Sequence, residues 1–406
     1  MKATISALML GTALILGAGT GALAQDKVVK IGNLTDMSGL YADVGGPGST
    51  TAAEMAIEDS GLTKKGWKID LVSADHQNKP DVGTTTARQW IDVEKVDVVV
   101  DVLNSGVALA VKNVVTEKNA IMINSGAASS DLTNSQCSPN VVHWTYDTYM
   151  LANSTGTALV KAGGDTWFFL TADYAFGAAL ERDTTAAVTK AGGKVLGSVK
   201  HPLNSSDFSS FLLQAQASKA KIVGLANAGG DTTNSIKQAA EFGIVKGGQK
   251  LAGMLMFISD VNSLGLNVAQ GLNFTETFYW DLNDQTRAFS KRYAAKAKNK
   301  AMPTMVQAGV YAGLMHYFKA LEALGGNPHD GKAVVEKMKS MPTDDALFGK
   351  GLIEPNGRAL HPAYLFEVKS PAESKGPWDY YKLVGTTPMD KAFRPLSESV
   401  CPLVKK

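Results

Sequence analysis

Polar residues that could bind a small molecule stand directly after short apolar runs, where strands are expected to end. Ser38 and Gly39 follow the run at residues 28–33. Backbone N–H groups of such a turn, at the start of a helix, bind anions, so this pair predicts an anion site, with an ordinary turn as the alternative. His76 follows the run at residues 69–73. A neutral His76 could hydrogen-bond a small molecule, or it could cap the next helix or pack against its loop.

Other candidate binding residues lie at corresponding places, after later apolar runs or before a long helix. They are Asn104, Ser105, Ser125, Gly126, Ala127, Asn227, Gly229, Asp231, Trp280 and Gln307, with Tyr41 near the first turn. No P-loop and no G-x-S-x-G nucleophile turn is present. The six histidines show no spacing typical of metal ligands. The pattern therefore favours binding over catalysis, with no metal and no cofactor.

The N-terminal sequence MKATISALMLGTALILGAGTGALAQ has the form of a secretory signal peptide at residues 1–24. Lys2 supplies the positive start, residues 3–18 are the apolar core, and ALA at 22–24 is a small-residue cleavage site. A membrane anchor is the alternative, but the cleavage site favours removal after Ala24, and no cysteine stands beside it to carry a lipid. We expect an exported, periplasmic chain. ATP and NAD(P)H are scarce there, which weakens most enzyme interpretations.

Cys137 and Cys401 are the only cysteines. Two cysteines in an exported chain predict one disulfide. The bond would attach the C-terminal tail to the region that follows the apolar run at residues 120–124. The alternative is two free thiols.

Composition indicates a globular chain with room for two domains of about 150 residues each. Apolar residues make up 45% of the chain and charged residues 19%, and the formal net charge is +2. No block of lysines and arginines stands out. Nucleic acid and anionic membrane surfaces are therefore not expected as partners.

Apolar runs alternate with helical patterns in two successive sets. The repeat i, i+3, i+4, i+7 of Phe208, Phe211, Leu212 and Ala215 is typical of an amphipathic helix. Strands about 25 residues apart with helices between them predict parallel sheets with right-handed crossovers. We expect an α/β fold of two doubly wound lobes, with a ligand at the carboxyl ends of the strands. The predicted strands are 28–33, 69–73, 96–103, 120–124, 167–170, 195–199, 222–226, 251–257, 363–369 and 378–384. The predicted helices are 48–60, 80–92, 106–117, 175–191, 208–217, 232–242, 284–298, 305–324 and 331–341.

Seven segments, in this order, resemble the type I periplasmic binding proteins of the branched-chain amino-acid (Leu/Ile/Val-binding protein-like) ABC transporter class. They are IGNLTDMSGLYADVGGPG, SADHQNK, NSGAASSDLT, TWFFLTADYAFG, DFSSFLLQAQ, LANAGGDTTNSIKQAAEFGI and GPWDYYKL. The resemblance implies a three-segment hinge, with crossings near 144–147, 277–281 and 354–359. It also implies an N-terminal lobe of residues 25–145 and 281–354. The C-terminal lobe would hold residues 146–280 and 355–406, with its tail crossing back.

The resemblance also implies roles for single residues. Two first-lobe turns of this class hold the solute carboxylate, which implies contacts from Asn104 and Ser105 and from residues 125–127. The segment TADYAFG implies that Tyr174 or Phe176 covers the solute, although Phe176 also lies on the apolar face of its helix.

Two departures from the amino-acid binders concern the second lobe. Where those proteins often carry an aromatic residue, this chain has AGG at 228–230, which predicts room for a larger solute. Where they carry a carboxylate for the solute ammonium, Met254 or Leu255 stands here. A buried ammonium without its partner costs on the order of several kcal/mol, and Asp231 and Asp260 are out of register. We therefore expect a small monocarboxylate with an apolar or aromatic end.

The resemblance implies a monomeric solute-binding subunit of an ABC importer. Such a subunit would deliver an amino acid, a 2-oxo acid or an aromatic acid to a membrane permease. The alternatives are a periplasmic sensor that presents the same solute to a receptor, and an exported α/β enzyme.

Overall fold

A computed structural model describes residues 27–405 of the chain. Its first part is a parallel sheet of five strands in the order β2-β1-β3-β4-β5. The strands are β1 Val28–Thr35, β2 Lys68–Asp75, β3 Val98–Asp101, β4 Ile121–Asn124 and β5 Val141–His143. The helices between them are α1 Gly46–Ser60, α2 Pro80–Asp92 and α3 Ser105–Glu117. We call the body built on this sheet the first lobe.

The second lobe is built on a four-stranded parallel sheet in the order β7-β6-β8-β9. Its strands are β6 Thr166–Ala172, β7 Lys194–His201, β8 Ile222–Ala226 and β9 Lys250–Gly253. Two short helices precede it, α4 Thr148–Leu151 and α5 Thr157–Lys161, joined by a π-helical turn at Ala152–Gly156. The other helices are α6 Ala175–Lys190, α7 Ser209–Ala217, α8 Gly230–Glu241, α9 Ile258–Leu264 and α10 Leu266–Ala269.

The last part of the chain adds two antiparallel sheets and more helices. One sheet has the order β10-β14-β15 and the other β11-β12-β13. These strands are β10 Asn273–Glu276, β11 Thr343–Asp345, β12 Gly349–Ile353, β13 Ala359–Leu360, β14 Ala363–Val368 and β15 Tyr381–Thr387. The helices are α11 Asp284–Lys296, α12 Met305–Ala323, α13 Gly331–Ser340 and α14 Met389–Ala392.

The first lobe is layered because alternate residues of its buried strands point to opposite faces. In β3, Val98 and Val100 pack in the same cluster as residues of α1 and α12, whereas Val99 packs with residues of α2 and α3. Helix α12 lies along α1, and α13 lies along α12. This arrangement confirms a doubly wound sheet and leaves the carboxyl ends of its strands free to form a site.

The strand predicted at 251–257 ends earlier in the structure, where β9 is Lys250–Gly253. A side chain at Gly253 would clash with Met256, since an added Cβ would lie 2.3 Å from its Sδ. The chain turns there, and α9 begins at Ile258. The antiparallel sheets were not predicted, since β10 pairs with β14 from a distant part of the sequence.

Cys137 and Cys401 form a disulfide, which confirms the predicted pairing; their Cα atoms lie 5.8 Å apart. The tail also accepts and donates hydrogen bonds on both lobes. The Val400 N–H donates to Asn134 Oδ1 at 2.8 Å, and Asn153 Nδ2 donates to the Lys391 carbonyl at 2.7 Å. The tail therefore connects the two lobes.

The predicted signal peptide at residues 1–24 lies outside the described residues. Within residues 27–405, no helix combines the length and the apolar character needed to cross a membrane.

Candidate functional site

A small cavity lies between the two lobes. Its walls are formed where parallel strands end, as expected for ligand sites of α/β sheets. The first lobe and the segment after β5 contribute Tyr41, Val44, Leu103, Ser105, Gly126, Ala128 and Tyr146. The second lobe contributes Tyr174, Phe176, Ala228, Leu255 and Phe257.

The wall of the cavity is aromatic and uncharged. The ring centroids of Tyr174 and Phe176 lie 5.8 Å apart, and those of Tyr146 and Phe257 lie 6.0 Å apart. Tyr41 supplies a fifth ring. Within residues 27–405, the lining of this cavity includes no Lys, Arg, Asp, Glu or His. A charged group of a solute would therefore have to be met by hydroxyl and peptide dipoles.

The polar part of the first-lobe wall is the start of α3. Asn104 is the N-cap, and its Oδ1 accepts from the N–H groups of Gly106 at 2.9 Å and Val107 at 3.2 Å. Asn104 is thus occupied by the helix. Ser105 Oγ accepts from the Ser129 N–H at 3.2 Å. Because that bond uses only an acceptor site, the Ser105 hydroxyl keeps its hydrogen for a solute oxygen.

The turn after β4 forms the neighbouring part of the wall. The Asn124 side chain closes this turn, since its Oδ1 accepts from the Ala127 N–H at 3.0 Å and its Nδ2 donates to the Ala127 carbonyl at 2.7 Å. The Tyr146 hydroxyl donates to the Gly126 carbonyl at 2.6 Å. Gly126 faces the cavity, whereas Ala127 and Ser125 lie behind it.

The lobes contact each other across the cavity through two tyrosines. The hydroxyl oxygens of Tyr41 and Tyr174 lie 2.7 Å apart. Burial raises the pKa of both phenols, so both stay neutral at ordinary pH. The pair therefore joins the two lobes at the cavity wall with an uncharged hydrogen bond.

The glycines at 229 and 230 make room for the first lobe, not for a larger solute. A Cβ on Gly229 would lie 2.8 Å from the Leu40 carbonyl oxygen and 2.9 Å from the Tyr41 ring, and its φ is +58°. A Cβ on Gly230 would lie 2.7 Å from Leu40 Cδ1. The expectation of extra solute space at this place is corrected, because Leu40 and Tyr41 occupy it.

The turn at Ser38 and Gly39 is already occupied by acidic side chains of the protein. The Gly39 N–H donates to Asp36 Oδ1 at 2.8 Å, and the exposed Ser38 hydroxyl donates to Asp75 Oδ2 at 2.8 Å. Asp36 thus takes the place predicted for a solute anion. Neither Ser38 nor Gly39 lines the cavity.

Three further predicted residues have structural partners outside the cavity. His76 is buried, accepts at Nδ1 from the N–H two residues later at 3.0 Å, and has a pKa lowered by burial to about 4. Trp280 Nε1 donates to the Trp378 carbonyl at 2.8 Å. Gln307 and Thr304 form a capping box at the start of α12.

The polar residues after β8 hold their own loop. Asn227 Oδ1 accepts from the Thr232 hydroxyl at 2.7 Å. Asp231 accepts from the N–H groups of Asn204 at 3.0 Å and Ser205 at 2.9 Å, and burial raises its pKa to about 6. Both side chains are buried and neither lines the cavity.

The position where amino-acid binders carry a carboxylate for the solute ammonium is apolar in this structure. Leu255 lines the cavity and Met254 is fully buried. Asp260 accepts from the Phe257 N–H at 2.9 Å, and burial raises its pKa to about 7. Asp260 is therefore occupied by the start of α9 and is not part of the wall.

Several residues that line the cavity were not among the predicted solute contacts. Tyr146 stood in a predicted hinge crossing, and Phe257 stood inside a strand predicted to run to its position. Both residues follow a parallel strand, Tyr146 after β5 and Phe257 after β9. This position could have predicted their contact, because residues that follow a parallel strand lie at the edge of the sheet. Val44, Leu103 and Ala128 were also missed, whereas Ala228 and Leu255 stand at the two places where the sequence departs from the amino-acid binders.

A second contact between the lobes is charged, and we call it the ionic cluster: Ser130, Asp131, Thr148, Arg182 and Asp183. Asp183 Oδ2 accepts from the hydroxyls of Ser130 and Thr148, each at 2.6 Å. Arg182 donates to Asp183 at 3.0 Å and to Asp131 at 3.1 Å. The cluster joins the loop after β4 to helix α6.

The sequence and the fold match known proteins along most of the chain. A family model described as periplasmic binding protein matches residues 28–377. A periplasmic binding protein from Burkholderia mallei is 52% identical, with a TM-score of 0.90 over 93% of this chain and 100% of that one.

Two other solved structures are more distant. A branched-chain amino acid ABC transporter periplasmic ligand-binding protein from Burkholderia xenovorans is 40% identical, with a TM-score of 0.82 over 93% of this chain and 100% of that one. An ABC-transporter solute-binding protein from Rhodopseudomonas palustris, in complex with 3,4-dihydroxybenzoic acid, is 25% identical. Its TM-score is 0.80 over 89% of this chain and 98% of that one. These neighbours are solute-binding proteins and not enzymes.

Proposed function

The chain belongs to the periplasmic binding protein family, and we propose that it is the solute-binding subunit of an ABC importer for a small monocarboxylate. The monomeric protein captures the acid between its lobes and presents it to a membrane permease. The other end of the acid is apolar or aromatic.

The observation that carries this proposal is the uncharged aromatic cavity. Five rings surround it, and a serine hydroxyl stands at the start of a helix on one side. The positive end of the α3 dipole and the Ser105 hydroxyl favour a carboxylate at that side. The rings of Tyr146, Tyr174 and Phe176 favour a flat or branched apolar group at the other. An ammonium would find no acidic side chain in the wall.

The solved neighbours support this class of ligand. The Rhodopseudomonas palustris protein is named in complex with a dihydroxybenzoic acid, which is a small aromatic monocarboxylate. The Burkholderia xenovorans protein is named for branched-chain amino acids. Both kinds of molecule carry one carboxylate next to an apolar group, and the apolar Leu255 favours the kind without an ammonium.

Release requires that the lobes separate, and we propose hinge crossings near 144–147, 277–281 and 354–359. The hydroxyls of Tyr41 and Tyr174 join the lobes at the cavity wall, so we expect a solute to enter and leave when this contact opens. Hinge closure around a solute is a known mode of such proteins.

The test is a thermal-shift screen of 2-oxo acids, benzoates and α-amino acids, together with mass spectrometry of what co-purifies. A monocarboxylate at 100 times its Kd is expected to add about 2.7 kcal/mol to the free energy of unfolding. Uptake of that acid by cells with and without the gene then tests the importer role. Stabilisation by α-amino acids alone, or uptake that does not require the protein, would contradict the proposal.

A further inference from the structure

Asp101, at the end of β3, has an unusual backbone for its position. Its φ is +72° and that of Val102 is +50°. Such left-handed angles are uncommon for residues with a side chain and persist where the surroundings enforce them, often at functional sites. The Asp101 carbonyl accepts from the N–H groups of Ser125 and Gly126, each at 3.4 Å. The strained turn is therefore tied to the turn that forms the cavity wall.

The Asp101 side chain lies directly behind that wall. A Cβ on Gly126 would lie 2.6 Å from Asp101 Oδ1, and a Cβ on Gly45 would lie 2.7 Å from Oδ2. Gly126 lines the cavity, and Gly45 follows the lining residue Val44. Only glycine permits this approach of the carboxylate to both turns. One layer of backbone thus separates the carboxylate from a solute.

The carboxylate is buried without a hydrogen-bond partner. The residue is 0% exposed, and among the described residues neither oxygen has a partner, nor do the hydroxyls of Ser49 and Ser125 beside it. A buried unpaired carboxylate is costly unless it takes up a proton. As a carboxylic acid, Asp101 carries no charge, so its burial among these groups costs less free energy.

The groups that face Asp101 are known from each neighbouring turn. Burial is the largest effect and raises its pKa to about 6; Asp36, in the turn after β1, also raises the pKa of Asp101. The hydroxyls of Ser49, Thr35 and Ser125 lower the pKa of Asp101, although none reaches hydrogen-bonding geometry with the carboxylate. From the segment after β5, Tyr146 faces it as a neutral phenol. Among the described residues, the groups with the largest effects on the pKa of Asp101 include no cation.

We infer that Asp101 is a positioning residue that takes up a proton from solvent when a monocarboxylate enters the cavity, so that the affinity for solute anions depends on pH. The inference rests on the proposed binding of a carboxylate. An anion against Gly126 places a second negative charge near Asp101, and two close carboxylates cannot both stay ionised without a cation. One proton adds to the Asp101 carboxylate to give the acid, and no other bond changes.

The experiment is titration calorimetry at pH 6, 7 and 8, in two buffers of different ionisation enthalpy, with benzoate, 4-hydroxybenzoate and 4-methyl-2-oxopentanoate as probes. The wild-type protein is expected to take up as much as one proton for each acid bound. Its Kd is expected to rise by up to about tenfold per pH unit between pH 6 and 8. Benzamide, which carries no charge, shows no such change. Asp101→Asn binds the acids without proton uptake and with a flat pH profile.

Asp97→Asn is the matched control. Asp97 lies just before the other end of β3, is buried, accepts from the Lys30 N–H at 2.8 Å, and has a pKa that burial raises. It is far from the wall, so its variant is expected to keep the wild-type proton uptake. A role of Asp101 in structure alone would lower affinity equally at all pH values and leave the proton uptake in place.

The outcomes separate the two proposals. Proton uptake that persists in Asp101→Asn, or a flat profile in the wild type, overturns the role of Asp101 while the carboxylate site stands. Failure of all three acids to bind overturns the proposed function and this role with it. If Asp101→Asn does not fold, the comparison of benzoate with benzamide on the wild-type protein decides.

Discussion

At the cavity the two lobes contact each other through uncharged groups, whereas at the ionic cluster they contact each other through charged ones. Across the cavity, the hydroxyls of Tyr41 and Tyr174 meet at 2.7 Å beside Gly229. In the ionic cluster, the buried Asp183 is bonded by two hydroxyls and by Arg182. Both contacts join the same two lobes.

The difference indicates that the ionic cluster holds the lobes together, whereas the cavity binds the solute. Charged groups in the ionic cluster find their partners within the protein, so they hold the lobes in one arrangement. In the cavity, the hydrogen of the Ser105 hydroxyl is free to be donated, and a solute oxygen can accept it. We therefore expect changes in the ionic cluster to alter stability without altering ligand preference, and changes in the cavity to do the reverse.

The largest expected effect is on stability, from removal of the disulfide that anchors the tail beside the ionic cluster. The tail carries Arg394, whose guanidinium lies 3.5 Å from Asp183. The double variant Cys137→Ser, Cys401→Ser is expected to lose ~4 kcal/mol of unfolding free energy, since the bond closes a long loop. Chemical denaturation measures it, with the reduced wild-type protein as the control. An unchanged denaturation midpoint would show that the tail does not constrain the fold.

Asp183→Asn tests the ionic cluster itself. Loss of the buried charge, 4% exposed, deprives the Ser130 and Thr148 hydroxyls of their charged acceptor, with an expected cost of about 3 kcal/mol in unfolding free energy. The control is Asp165→Asn, which breaks the exposed pair with Lys221 and is expected to cost less than about 1 kcal/mol. The order of affinity for different solutes is expected to stay the same; a changed order would contradict the separation of tasks.

Gly229→Val tests the neutral contact. The side chain would strike Leu40 and Tyr41, so the lobes are expected to stop short of closure and affinity to fall about 100-fold, or ~2.7 kcal/mol. Gly243→Val is the control, because Gly243 also has a positive φ but has open space around it. Titration calorimetry on both variants distinguishes the clash from backbone strain. Equal losses in the two variants would assign the effect to strain.

Tyr174→Phe is expected to have the smallest effect. It removes one neutral hydrogen bond across the cavity, worth about 1 kcal/mol, and should weaken solute binding roughly fivefold. The control is Tyr364→Phe, since Tyr364 is a half-buried tyrosine of β14 outside the cavity; this variant should leave affinity unchanged. Stronger binding by Tyr174→Phe would mean that the hydroxyl pair does not help to close the lobes.

The fold was predictable where local patterns determine it. The helix Pro80–Asp92 and the strand Ile222–Ala226 have the predicted bounds, because a proline start and an apolar run mark them in the sequence. The antiparallel pairing of β10 with β14 depends on contacts between distant residues, and the early end of β9 depends on the packing of Met256 against Gly253. No periodicity in a short segment reveals such contacts.

The candidate site was predictable in part, for a similar reason. Tyr41, Ser105, Gly126, Tyr174 and Phe176 line the cavity because strand ends fix where their turns lie. The remaining predicted side chains are not in the wall. For most of them the polar groups are satisfied nearby, and sequence spacing does not show which partner a polar group finds. The fit of Gly229 against Leu40 joins two lobes and was visible only in the structure.

The central claim, that the cavity binds a monocarboxylate without a partner for an ammonium, is tested most directly by one calorimetric comparison. Leucine and its 2-oxo analogue, 4-methyl-2-oxopentanoate, share a carboxylate and a branched apolar end, and differ in the ammonium. With Leu255 where an acidic partner would stand, the 2-oxo acid is expected to bind at least about tenfold tighter, or ~1.4 kcal/mol. Tenfold tighter binding of leucine would contradict the account.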